Sequence, residues 1–323
     1  MFEQVPHAKS ISSSRDEVAD PIGDRLNGRN AGVLVVGHGT RKLAGQEQLL
    51  LLSDQIASLL PGTPVEACFL ELAEPDIEQG LCKLREQGCE AVVVVPVLLF
   101  TAAHAKSDIP DAVAASAEGL GLRVLAQTAS LEVHPAVLAL SKLRFDEILG
   151  LPGGVHCPSG GCAAGELPNA RCDSAPDRPG DCPLAQWLGV RRSGEGGGGG
   201  DSVALAMVGR GTSDRDALEK MRLFTELRCK ESLVAWSETG FFAGGKPDID
   251  DLLERASRSG CDTVIVQPHL LFEGELIDQL RQRIRERRAA GSGITWWITR
   301  TLGADPALAR VFLELLKDAT SAW

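Results

Sequence analysis

The sequence predicts an α/β fold of two similar lobes, each built on a doubly wound, mainly parallel sheet. Two observations predict it. The chain repeats itself at a nearly constant offset, and each repeat alternates short apolar runs with stretches of helical periodicity. The segment from Ala31 to Thr40 matches that from Val203 to Thr212, with His38 opposite Arg210, 172 residues on. The same offset pairs Pro75-Asp76-Ile77 with Pro247-Asp248-Ile249, and Gly88-Cys89 with Gly260-Cys261. It also pairs Pro96, Leu98, Leu99 and Phe100 with Pro268, Leu270, Leu271 and Phe272. Leu131 and Pro135 pair with Leu302 and Pro306 at 171, one deletion later.

The elements follow in order. Val33–Val36 is a strand ending in glycines. A helix over Leu49, Leu52, Ile56 and Leu60 stops at Pro61-Gly62. Val65–Leu70 is a second strand, and Ile77–Glu86 a helix closed by Gly88. Ala91–Leu99 is continuously apolar and Val-rich, as a parallel strand covered on both faces should be. A helix is expected over Pro110–Ala117, with the proline in its first turn. Val124–Gln127 is a fourth strand and Pro135–Leu149 a last helix. The second copy repeats the order from Val203 to Leu316. With 323 residues there is room for two domains of about 120–150. The expected division is a disordered polar tail over 1–30, a first lobe over 31–150, a Cys-, Gly- and Pro-rich linker or insert over 151–202, and a second lobe over 203–323.

Charge narrows the partners. The chain has 44 acidic against 33 basic residues, a net charge of -11, which repels phosphate backbones and argues against a nucleic-acid partner. No apolar run approaches the ~18–20 residues of a membrane span, so no membrane partner is expected. The first 30 residues lack the apolar core of an export signal, and the expected location is the cytoplasm. Nine cysteines without such a signal favour reduced thiols or metal ligands over a disulfide framework. Cys157, Cys162, Cys172 and Cys182 cluster in the insert at a spacing that fits no paired Cys-x2-Cys motif. Zinc or an iron–sulfur cluster there is the second choice, behind a flexible thiol-bearing loop. The other five cysteines are expected as small core residues.

Ligands of open parallel sheets bind beyond the carboxyl ends of the strands. His38 follows the first strand, Glu71 the second and His104 the third, at equal spacings of 33 residues, so one strand–helix unit separates each from the next. Two imidazoles and a carboxylate suit a divalent transition metal, and also proton transfer near neutral pH. The second copy replaces them with Arg210, Ala243 and Leu276 while keeping the sheet pattern. The three are therefore not needed to build the fold.

Gly-His-Gly-Thr-Arg at 37–41, Phe-Leu-Glu-Leu-Ala-Glu-Pro at 69–75 and the run from Pro96 to Pro110 resemble the sirohydrochlorin chelatases of the CbiX/SirB type. Gly-Arg-Gly-Thr-Ser-Asp at 209–214 and Pro-His-Leu-Leu-Phe-Glu-Gly-Glu-Leu at 268–276 are similar to the degenerate half of that family's two-domain form. The resemblance implies a class II chelatase fold and a lyase that inserts Co²⁺ or Fe²⁺ into sirohydrochlorin with loss of two protons. That reaction would serve cobalamin or siroheme synthesis. The resemblance also carries metal handling to His38 and His104 and the acid to Glu71. The metal is then a substrate, and no resident cofactor is required. Sirohydrochlorin has eight carboxylates, for which Arg41, Lys42, Lys106 and Arg210 are the candidate partners. Fusion of two lobes predicts a monomer. The competing readings are a protein that binds metal or tetrapyrrole without catalysis, and nucleotide chemistry on a flavodoxin-like sheet. The second lacks a phosphate-cradling glycine motif.

Overall fold

The computed structural model describes residues 21–101, 103–150, 202–230, 232 and 234–323. The four clustered cysteines lie outside the described residues. Two four-stranded parallel sheets are present, flanked by helices. The first contains β1 (Ala31–Gly37), β2 (Val65–Phe69), β3 (Ala91–Pro96) and β4 (Arg123–Gln127), in the order β2-β1-β3-β4. The second contains β5 (Val203–Gly209), β6 (Trp236–Phe241), β7 (Thr263–His269) and β8 (Thr295–Ile298), in the order β6-β5-β7-β8. The helices are α1 (Pro21–Asn27), α2 (Leu43–Ser58), α3 (Ile77–Glu86), α4 (Ala103–Gly119) and α5 (Pro135–Ile148), then α6 (Arg215–Cys229), α7 (Ile249–Ser257), α8 (Glu275–Ala289) and α9 (Pro306–Ala319). Among the described residues no helix is long and apolar enough to cross a membrane.

Strand chemistry follows burial. Every residue of β1, β3, β5 and β7 is buried, which is why β1, β3 and β5 are continuously apolar rather than alternating, while β7 buries Thr263, Gln267 and His269 among its apolar residues. Helix starts are capped alike in the two copies. Asp76 accepts from the Gln79 amide at 2.8 Å, and Asp248 from the Asp251 amide at 3.0 Å.

Three expectations change. The last ten residues of the supposed tail are ordered: α1 buries Ile22 and Leu26, the only large apolar residues it has, against the core. Helix α4 begins seven residues before Pro110, which sits inside it rather than in its first turn. One missing amide is a local loss that packing of Ile109, Val113 and Ala117 outweighs. The third strand ends at Pro96, and Leu98 and Leu99 bend away into the rim instead of extending it.

The interior has three parts. One sheet face of the first lobe packs on α3 and α4, and one of the second on α7 and α8. The other faces of both sheets share one cluster, and here the last helices cross over. Helix α9 packs on α2 and β3 of the first lobe, while α5 packs on α6 and β7 of the second.

Candidate functional site

The rim is set by strand register. Gly37 pairs with Phe69, and Val36 with Pro96, so β1, β2 and β3 end level. In the second sheet Gly209 pairs with both Phe241 and His269. The strand ends of both sheets open onto one cleft of about 860 Å³. His38 and Glu71 are brought together by backbone. The Leu70 amide donates to Gly37 O at 2.8 Å, and the Glu71 amide to His38 O at 3.1 Å. Gly39 makes this approach possible: its φ is 102°, and a Cβ there would stand 1.7 Å from Glu71 O. Gly211 and Ala243 repeat the arrangement in the second lobe, holding Arg210 where the first lobe holds His38.

His38 Nε2 stands 3.2 Å from Glu71 Oε1 and 3.0 Å from Arg210 Nη2. The two contacts exclude one another as hydrogen bonds. Donation to Glu71 needs a proton on Nε2, while a guanidinium has donors only and needs the Nε2 lone pair. Burial, followed by the charge of Arg210, holds the His38 pKa below its ordinary value, against the pull of Glu71 and Asp108. The lowered pKa favours the neutral ring, and the neutral tautomer with its lone pair on Nε2 is the one that accepts from Arg210. In that tautomer Nε2 and Glu71 Oε1 are two donor atoms 3.2 Å apart. Two ligands about 2.1 Å from one ion stand about 3.0 Å apart in octahedral and about 3.4 Å in tetrahedral geometry. The observed 3.2 Å lies between.

The remaining sequence candidates divide. His104 lies in the first turn of α4 rather than in a strand-end loop, and Lys106 follows on the same helix; their side chains are outside the described residues. Among the described residues no group of three or more His, Cys, Asp or Glu is gathered for a metal, and His38 and Glu71 make a pair. Arg41 lines the cleft. Lys42 is absent from that lining: its ammonium is bound to Asp278 of α8 at 2.7 Å, a tie between the lobes. Of the remaining cysteines, Cys68, Cys89 and Cys261 are buried, and Cys82 and Cys229 partly so.

Two lining residues escaped the sequence reading. Asp108 stands four residues past His104, one helical turn on, a spacing that signals a shared face. His269 stands where the first copy has Val97, a polar residue in an apolar strand end. The contact of His38 with Arg210 was also hidden. The repeat pairs them as counterparts, and counterparts touch only where they lie beside the axis relating the copies.

A duplicated chain that aims the strand ends of both sheets at one cleft, with His38, Glu71 and Arg210 at its lining, is a two-lobed α/β protein with a shared cleft. Its family follows from comparison. The CbiX family model matches residues 32–148 and again 204–319, and the chain belongs to that family. Sirohydrochlorin cobaltochelatase of Priestia megaterium is 26% identical over 289 residues, covering 88% of this chain and 79% of that protein. Sirohydrochlorin ferrochelatase of the same organism is 27% identical over 290 residues, covering 90% and 91%. The structure of SirB from Bacillus subtilis with Fe³⁺ matches at TM-score 0.63 and 23% identity over 90% of this chain and 96% of that one, a likeness of fold.

Proposed function

We propose that the protein inserts a divalent metal, Co²⁺ or Fe²⁺, into sirohydrochlorin, releasing the two pyrrole protons. The observation that carries this reading is the 3.2 Å convergence of His38 Nε2 and Glu71 Oε1 at the mouth of the cleft. The likeness to cobalto- and ferrochelatases over most of the chain supports the substrate. His38 and Glu71 present the ion from the first lobe, with His104 as third ligand. An imidazole and a carboxylate are borderline-to-hard donors that take both ions, so the donor set fits cobalt as well as iron. As the ion leaves for the macrocycle, the vacated imidazole and carboxylate become bases for the displaced protons. Arg41, Lys106 and Arg210 pair with the substrate's carboxylates. The metal is a substrate and the reading needs no resident cofactor; Cys157, Cys162, Cys172 and Cys182 have no part in it. Both walls of the cleft come from one chain, so a monomer suffices.

The test is absorbance of purified protein with sirohydrochlorin and either ion, against the spontaneous rate. Wild type is expected to exceed that rate, and His38→Ala and Glu71→Ala to lose at least about tenfold, in keeping with the size of single acid–base and ligand contributions. A wild-type rate equal to the spontaneous one, or unimpaired variants, overturns the reading.

A further inference from the structure

The two copies touch in the cleft at the equivalent positions 38 and 210, and the residue there from the second copy is a permanent cation. Arg210 Nη2 lies 3.0 Å from His38 Nε2. No ion pair holds Arg210 elsewhere among the described residues, and its side chain is exposed on a Gly-Arg-Gly turn. Since a guanidinium only donates, this contact uses the Nε2 lone pair. That lone pair is the one a metal would take on the same nitrogen. The guanidinium also puts positive charge beside the point on which Glu71 converges. Metal and Arg210 thus compete for one atom, and like charge opposes their sharing the site.

We propose that Arg210 is a charged stopper on the metal site, seated on His38 Nε2 in the free protein and drawn off by a carboxylate of the incoming tetrapyrrole. The contact itself is independent of the chelatase reading; the identity of the displacing ligand rests on it. The exchange breaks one hydrogen bond and forms one metal–nitrogen bond. In the tautomer that accepts from Arg210 the ring proton is on Nδ1, so the exchange moves no proton. A guanidinium leaving an imidazole for a carboxylate gains a charge-assisted, bidentate contact, which supplies the direction. The consequence is positive coupling: tetrapyrrole tightens metal binding, and metal tightens tetrapyrrole binding by the same factor. An open His–Glu site takes whichever divalent ion binds it best. A stoppered one ties occupancy to the presence of the acceptor.

The test is calorimetric titration of Co²⁺ into the full chain without tetrapyrrole. Arg210→Gln, which removes the charge, is expected to bind Co²⁺ about tenfold tighter than wild type, within the usual range of coupling between sites. The gain is expected to vanish in Arg210→Gln/His38→Ala. Uroporphyrin already loaded with zinc offers eight carboxylates and no vacant centre. It is expected to tighten Co²⁺ binding to wild type about fivefold or more, and to leave Arg210→Gln unchanged. Equal or weaker Co²⁺ binding by Arg210→Gln, or the same probe effect in both proteins, overturns the proposal. Insertion into sirohydrochlorin is scored separately. A wild type that inserts no metal yet shows these affinities overturns the chelatase reading and leaves the stopper in place. A wild type that inserts metal without them does the reverse.

Discussion

His269 ends β7 with its ring between Phe100, at a centroid distance of 5.5 Å, and Phe224, at 4.0 Å. Neither ring nitrogen has a hydrogen-bond partner among the described residues. Burial pushes its pKa down to about 3. In the unfolded chain the same group gains its proton near pH 6.5. Between these values the unfolded state binds a proton that the folded state refuses, so His269 lowers stability as pH falls from about 6.5 toward 3. Leu at this position does not titrate and removes two buried polar atoms, each costing about 1–3 kcal/mol when unsatisfied. His269→Leu is therefore expected to gain on wild type as pH is lowered from 7 to 5, in urea unfolding. A difference that stays constant or shrinks toward low pH contradicts this account.

At the scale of elements, Arg144 of α5 joins the two crossing helices. It is 1% exposed. Its guanidinium donates to Leu302 O at 2.7 Å, Asp305 Oδ2 at 2.8 Å, Glu147 Oε1 at 2.9 Å and Thr301 O at 3.3 Å. Asp305 is the N-cap of α9 and accepts from the Ala307 amide at 3.0 Å. Arg144→Met keeps most of the apolar stem and strands two carbonyls and Asp305 Oδ2, while Glu147 keeps its bond from Arg300 at 2.8 Å. Removing one partner of a buried charged network should cost about 3 kcal/mol, read from the urea midpoint at constant slope. A loss below about 1 kcal/mol would place the network's worth at surface-pair level. This join was not legible in the sequence. The apolar positions of α5 say that it is buried, and nothing in their period says on which sheet. The central strands β1, β3 and β5 were legible because a strand covered on both faces is apolar throughout. His38 and Glu71 were legible because each stands within two residues of a strand's carboxyl end. The place of His104 on α4 is hidden because Pro110 reads as a helix start, although a proline inside a helix forfeits one bond and not the helix. Ile22 and Leu26 were missed because two apolar residues one turn apart are too few for a periodic signal.

For the whole molecule, the crossing helices make the lobes interdependent. Leu49, Leu52 and Ile56 of α2 share one core cluster with Val311, Phe312 and Leu316 of α9, while Val137, Leu140 and Phe145 of α5 share it with Phe224 of α6. Residues 21–150 alone would bare the face that α9 covers and leave α5 without the sheet it packs on. The Lys42–Asp278 pair at 2.7 Å and the Lys220–Glu132 pair at 2.6 Å also span the halves. Exposed pairs of this kind contribute little, so the shared apolar face decides the outcome. Residues 21–150 and 202–323, expressed separately, are each expected to self-associate or aggregate rather than fold as a monomer. Mixed during refolding, they are expected to form a one-to-one complex with a single cooperative unfolding transition. Light scattering gives the mass and circular dichroism the transition. A monomeric half that unfolds cooperatively would show that the crossing helices seat two finished domains rather than complete them.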